Sequence, residues 1–162
     1  MSLKDAPAPR LDLRHVLPES YRAVAALGRS ANEPTLEPIL IELVKMRASQ
    51  LNGCAYCLDM HSRASLKAGE DEIRLHTLAG WRDAQYLYSE REQAALSFSE
   101  AVTLISEHHV PDDVWSAADA VFTERELAAL LVQIVTINAW NRIVITSRTV
   151  VGDYPTASDV RR

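Results

Sequence analysis

Apolar residues recur at three- and four-residue intervals along most of the chain, and the interruptions fall at residues that start or stop helices. After Pro18, the positions Tyr21, Val24, Ala25 and Leu27 mark one face of a predicted helix over 19–29, which Asn32 to Pro34 break. A second helix is predicted over 35–50, capped by Thr35, with Leu36, Ile39, Leu40, Leu43, Val44 and Met46 facing inward. Asn52 and Gly53 stop it. A third begins at or near Cys54, runs over 54–67 and ends before Gly69, a residue suited to the left-handed backbone of a C-terminal stop.

Shorter helices are predicted over 70–78 and 82–87. Ser89 and Glu92 then have the spacing of a reciprocal capping box, and open a longer helix carrying Ala94, Ala95, Phe98, Val102 and Ile105 that closes at His108 and His109. Pro111 opens a short helix over 111–120, as a first-turn proline does. Thr123 and Glu126 repeat the capping box ahead of a final helix over 124–150.

That last helix is apolar on more than one face, with Leu127, Leu130, Leu131, Ile134, Val135, Ile137, Trp140, Ile143, Val144 and Ile145. Such a helix must be covered on most sides. Neighbouring subunits can supply part of that cover, which predicts a homo-oligomer; the alternative is the central helix of a monomeric bundle. No alternating β pattern and no glycine-rich phosphate loop stands out, so the expected fold is all-α. Residues 1–17, with Pro7 and Pro9, read as an extended N-terminal arm, 18–151 as one helical domain, and 152–162, with Pro155, as a C-terminal tail without apolar period.

Composition narrows the function. The 162 residues are 48% hydrophobic and 24% charged with 5 glycines, which suits one folded domain with a core of its own. A formal net charge of -5 offers no clustered basic face, so nucleic acid is not an expected partner. The longest apolar run, around 128–137, is interrupted by Gln133 and Thr136 and falls short of the roughly 20 residues that cross a bilayer. No secretory pattern marks the N-terminus, so the expected compartment is the cytosol, where thiols are kept reduced.

In that setting the two cysteines stand out. Cys54 and Cys57 are three residues apart and His61 follows four later, so on a helix all three share a face. Cys54 and His61 are separated by about 10 Å of helical rise, which leaves Cys57 as the thiol the imidazole reaches. The unpaired donors and the dipole at a helix N-terminus favour thiolate, as does a histidine that accepts its proton. A thiolate that meets a peroxide becomes a sulfenic acid, and a second thiol within reach condenses with it to a disulfide. Glu42, set in the apolar face of the preceding helix, can fold back and orient His61 as the third member of a relay.

Other readings compete for the same stretch. A c-type haem site needs histidine directly after the second cysteine, where Leu58 stands. Zinc needs four ligands, and Cys54, Cys57 and His61 would require Glu42 or another histidine as the fourth. A thioredoxin-like site needs a βαβ unit. A pair of small buried residues with a purely structural role also fits the spacing.

The spacing Glu42, Cys54, Cys57, His61, with the stretches ELVKMRASQLNGCAYCLDMH, GEDEIRLHTLAGWRDA, SEREQAALSFSEAVT and INAWNRIVI, resembles the alkylhydroperoxidase D (AhpD) family, within the carboxymuconolactone decarboxylase superfamily. The likeness runs over most of the chain, from about residue 18 to 145. It implies an all-helical, AhpD-like domain that assembles as a trimer or hexamer and acts as a thiol-dependent peroxidase or disulfide reductase in antioxidant defence. It implies that Cys57 meets the hydroperoxide, that Cys54 closes the disulfide, that Glu42 and His61 relay the proton, and that a thiol or dihydrolipoamide-type reductant restores the dithiol. No bound cofactor or metal is implied. Where well-known members carry histidine just before the second cysteine this chain has Tyr56, a poor base at neutral pH that can hold a water or shape the pocket. Within the superfamily the alternative is decarboxylation of a carboxylated lactone, which needs no cysteine pair; outside it, a dithiol that senses redox state or binds a partner without turnover.

The remaining histidines and tryptophans enter no constellation. His15 and His76 have no evident partner, His108 and His109 suit an exposed helix end, and Trp81, Trp115 and Trp140 read as core or interface anchors, with Trp140, Asn141 and Arg142 placed to brace the active-site helix.

Overall fold

Capping chemistry sets most of the helix boundaries. The structure, a computed structural model, describes residues 7–154, and these form nine α-helices with no strand among them. They are α1 (Leu13–Val16), α2 (Pro18–Ser30), α3 (Pro38–Asn52), α4 (Ala55–Lys67), α5 (Glu72–Thr77), α6 (Glu90–Thr103), α7 (Ile105–His108), α8 (Asp112–Asp119) and α9 (Glu124–Ser147). Single 3-10 turns occupy Leu78–Gly80 and Gln85–Leu87. Both predicted capping boxes form: the side chains of Ser89 and Thr123 accept from the backbone N–H groups of Glu92 and Glu126, whose carboxylates reach back to the cap N–H groups.

Several boundaries differ from the sequence reading. Thr35 does not cap α3; Glu37 is the cap residue and Pro38 takes the first helical position, where its missing N–H costs nothing. The last helix stops at Ser147 rather than 150, because Arg148 turns left-handed at φ 57°. Leu27 and Ile105, named among the apolar positions of their predicted helices, are 42% and 51% exposed. The N-terminal stretch is not simply extended: Asp12 accepts from the backbone N–H of Arg14 and caps the short α1. The peptide N–H of Arg10 donates to the carbonyl of Ser147, which ties this stretch to the end of α9. Residues 1–6, and 155–162 of the predicted tail, lie outside the described residues.

α9 is the axis of the fold and packs against α2, α3 and α6. By length and composition it alone among the described helices is apolar enough to cross a membrane, a property shared by core helices of this kind. Its inner side meets Leu40, Val44, Ala95 and Phe98 through Leu130 and Ile134, in a cluster closed by α8. A second cluster gathers Leu43, Met46, Leu75, Leu78, Trp81 and Leu96. The third sits where α3 and α4 meet the second half of α9, and contains Ala48, Ile137, Val144 and both cysteines.

Candidate active site

One glycine creates the geometry of the cysteine pair. Gly53 adopts φ 68°, its N–H donates to the carbonyl of Gln50, and the N–H of Cys54 donates to the carbonyl of Ser49, the paired bonds that end a helix in a Schellman motif. Cys54 is at once the residue that ends α3 and the N-cap of α4, where its Sγ accepts from the backbone N–H of Cys57 at 3.4 Å. The two sulfurs lie 2.8 Å apart as free thiols, and each side chain is 1% exposed.

This placement divides the electrostatics unevenly. The hydrogen-bonded contact with the Cys57 sulfur lowers Cys54 from 9.0 to about 7, against the opposing effect of burial, with help from the N–H of Cys57, the amide of Asn141 and the N–H of Tyr56. Cys57 is pushed up by the same bond to Cys54, by burial and by the negative charge beside it. Thiolate is therefore favoured on Cys54, at the N-cap, and disfavoured on Cys57. The resemblance implies that Cys57 is the reacting thiolate, whereas the N-cap position favours thiolate on Cys54, whose Sγ accepts from the backbone N–H of Cys57.

His61 lies one turn beyond Cys57 on α4, and its Nδ1 is 2.7 Å from a carboxylate oxygen of Glu42 on α3. Burial alone would raise the Glu42 carboxyl, but the bond to His61 and the Lys45 ammonium, 3.2 Å from the other oxygen, bring it below its ordinary value. With its proton on Nδ1, the His61 ring donates a hydrogen bond to the ionised Glu42, and Nε2 is then its acceptor nitrogen. With both oxygens so engaged, Glu42 makes a poor fourth zinc ligand, and no cluster of three or more His, Cys, Asp or Glu forms a metal site among the described residues.

Sequence reasoning named Asn141 as a brace for the active-site helix, but assigned neither it nor Ser49 a place under the sulfurs. Asn141, fully buried on α9, donates from Nδ2 to Ser49 Oγ at 3.1 Å and accepts from Asn52 Nδ2 at 2.9 Å. Its amide also lowers both thiols, and the Ser49 hydroxyl acts the same way on Cys57. The signal was present as an asparagine inside the apolar run of the last helix, since a buried amide there must find partners.

Cys57, but not Cys54, borders a cavity of about 250 Å³ between α2, α4, α9 and the N-terminal stretch. Tyr56 forms part of its wall: its hydroxyl donates to the carbonyl of Asp153 at 3.1 Å, and its ring meets Tyr154 edge-on at 5.1 Å. Burial raises its phenol, which makes it wall rather than base. His61 does not line this cavity. Trp81 is a core residue, Trp115 is 46% exposed against Phe98, and Trp140 meets Tyr21 edge-on at 4.8 Å beside the cavity.

Comparison with known proteins places this arrangement. Residues 18–101 match the carboxymuconolactone decarboxylase family. The chain is 35% identical over 136 residues to the uncharacterized protein YdfG of Bacillus subtilis, covering 84% of this chain and 92% of YdfG. The crystal structure of an Agrobacterium tumefaciens protein of unknown function, described as a candidate antioxidant defence protein AhpD, superposes with a TM-score of 0.84 at 36% identity, covering 92% of this chain and 99% of that one. An alkylhydroperoxidase AhpD core protein from Ralstonia eutropha, an uncharacterized peroxidase-related protein, shares the fold at a TM-score of 0.70 and 22% identity, covering 97% and 82% of the two chains. The chain belongs to the carboxymuconolactone decarboxylase family and has the AhpD-like all-α fold.

Proposed function

We propose that this protein is a cytosolic thiol-dependent peroxidase that reduces organic hydroperoxides with the Cys54 and Cys57 dithiol. The observation that carries the reading is a pair of reduced sulfurs 2.8 Å apart, of which one opens onto an apolar cavity, one turn from a histidine held by an ionised carboxylate.

The steps balance on these groups. Cys57 passes its proton to the Cys54 thiolate as its sulfur attacks the terminal oxygen of the hydroperoxide. The O–O bond breaks, Cys57 becomes a sulfenic acid, and the departing alkoxide takes from solvent the proton that Cys54 released on ionising. Cys54 then yields its proton to the neutral imidazole and attacks the Cys57 sulfur. Hydroxide leaves, is protonated to water by His61, and a disulfide remains. The sum is two thiols and one hydroperoxide giving one disulfide, one alcohol and water. A dihydrolipoamide-type dithiol restores the pair by exchange, becoming the disulfide itself.

The working unit in this reading is a homo-oligomer. Leu131, Val135 and Ile145 form an exposed apolar stripe on α9, and a second copy of the chain covers it.

The test mixes fully reduced protein with one equivalent of an organic hydroperoxide and counts thiols over time. Loss of two thiols per chain, abolished as turnover in Cys57→Ser and in Cys54→Ser and slowed in Glu42→Gln and His61→Ala, is expected. Full turnover in either cysteine variant, or loss no faster than that of a free thiol, would overturn the reading.

A further inference from the structure

The walls of the cavity above Cys57 are more selective than sulfur chemistry requires. Tyr21, Ala25, Met60, Trp140, Ile143 and Val144 are among the residues that line it, so the space next to the sulfur is bordered by apolar side chains and aromatic rings. An apolar cavity of about 150 Å³ is filled by one benzene ring. The present one, at about 250 Å³, holds one ring with a short substituent.

Its charge excludes anions. Arg14 is the only lysine or arginine among the described lining residues, and its guanidinium is already shared between Asp12 at 3.1 Å and Asp153 at 3.0 Å. Asp12 is held down to about 2 by that guanidinium, and Arg14 is raised by the same bond. Among the described lining residues two carboxylates face one guanidinium; the exposed His15 ring, 2.9 Å from Asp12, is not one of them. A ligand carboxylate would be desolvated beside Asp12 and Asp153 with no free cation among the described lining residues to receive it. A neutral ring meets no such cost and gains contacts with Trp140 and Tyr21, which already form an edge-to-face pair.

We propose that this cavity is a binding site for a neutral organic molecule the size of one substituted aromatic ring, and that its substrate is a hydroperoxide of that class. The reaction rests on the peroxidase reading given above; the ligand class rests on the cavity alone. The N-terminal stretch, through Pro9, Leu11 and Leu13, builds one wall, and the Arg14 bridge to Asp153 fastens it to the segment after α9. The peroxide group of such a ligand lies toward Cys57, where its terminal oxygen is attacked and its alkoxide leaves as the alcohol.

Benzyl alcohol and benzoate differ in charge and little in size, and serve as probes that need no peroxide. Each is titrated into the reduced full-length protein while alkylation of Cys57 by iodoacetamide is followed by mass spectrometry. Saturable protection by benzyl alcohol is expected, with benzoate weaker by about tenfold or more, because its charge finds no partner. Ala25→Phe and Ile143→Trp fill the cavity from two different helices, and each is expected to abolish protection while the fold, checked by circular dichroism, is kept. Equal or stronger protection by benzoate, or none by either probe, would overturn the proposal, and the wild-type comparison decides this even where a filled variant fails to fold. Protection by benzyl alcohol in a protein that consumes no thiols with cumene hydroperoxide would uphold the ligand class and remove the peroxidase reaction.

Discussion

The sulfur of Cys54 lies 2.8 Å from that of Cys57, yet only Cys57 borders the cavity. Charge and access are thus assigned to different members of one pair. Cys54, as the N-cap, gathers the donors that stabilise thiolate, and Cys57 faces the space where a substrate can arrive. The short contact lets a single proton move between them as one sulfur reacts.

The first prediction concerns that shared proton. Thiolate absorbance in the ultraviolet should titrate one sulfur per chain with a midpoint of about 7. Cys57→Ala removes the largest cause of the lowered Cys54 value and should move the midpoint up; Cys54→Ala should bring Cys57 down from its raised position. Stability follows by linkage. A lowered folded value for Cys54 gives stability that is present above the ordinary thiol value of 9.0 and lost as pH falls through about 7. The raised Cys57 acts oppositely above its ordinary value. Urea midpoints under reducing conditions should therefore rise from about pH 7 toward pH 9 and fall beyond it.

Asn141→Leu tests the amide beneath the pair. Its removal leaves Ser49 and Asn52 without their buried partner and should cost about 1–3 kcal/mol in chemical denaturation. A purely structural role stops there. Because the amide lowers both thiols, the thiolate midpoint should also rise, and alkylation at neutral pH should slow. An unchanged titration in a destabilised variant would assign Asn141 to packing alone.

The sequence made the local rules of this fold legible and left hidden what depends on distant pairing. Ser89 with Glu92 and Thr123 with Glu126 carry their capping geometry in their spacing, and both boxes form. Glu42 and His61 sit nineteen residues apart on adjacent helices joined by a short turn, so their meeting could be expected from helix geometry. Thr35 misled because a local cap competes with a tertiary partner: its hydroxyl serves the Glu126 carboxylate instead. The N-terminal stretch has too short an apolar pattern to show periodicity, and its place beside the cavity comes from single long-range bonds, Arg10 to Ser147 and Arg14 to Asp153. The helix start at Cys54 was legible from Asn52 and Gly53, but the spacing alone, read for which thiol the imidazole reaches, pointed to Cys57 and not to the cap residue as the one whose thiolate is favoured.

Gly53 provides a test of the turn that makes Cys54 that cap. A Cβ at this position meets no atom within 4 Å, so substitution is opposed by the backbone alone, at φ 68°. Gly53→Ala should lower stability by about 1 kcal/mol, the left-handed penalty of an L-residue. Gly80, also open to a Cβ but without a positive φ, is the control, and Gly80→Ala should change stability by less than about 0.5 kcal/mol. Equal effects at the two positions would mean that backbone conformation does not hold the turn.

Tyr56 decides whether the residue before the second cysteine takes part in proton transfer. Its phenol is raised by burial, so at neutral pH it neither accepts a proton nor carries charge, and its hydroxyl is committed to the carbonyl of Asp153. Tyr56→Phe removes one hydrogen bond and keeps the ring that packs edge-on against Tyr154. The loss should be about 0.5–1.5 kcal/mol in stability. The rate of thiol oxidation by hydroperoxide should stay within about twofold of the parent, whereas His61→Ala, which removes a base, should slow it by about a hundredfold. A Tyr56→Phe variant as slow as His61→Ala would place the phenol in the relay and require that it reach the sulfur through an intervening water, since its hydrogen-bond partner is a backbone carbonyl and not Cys57.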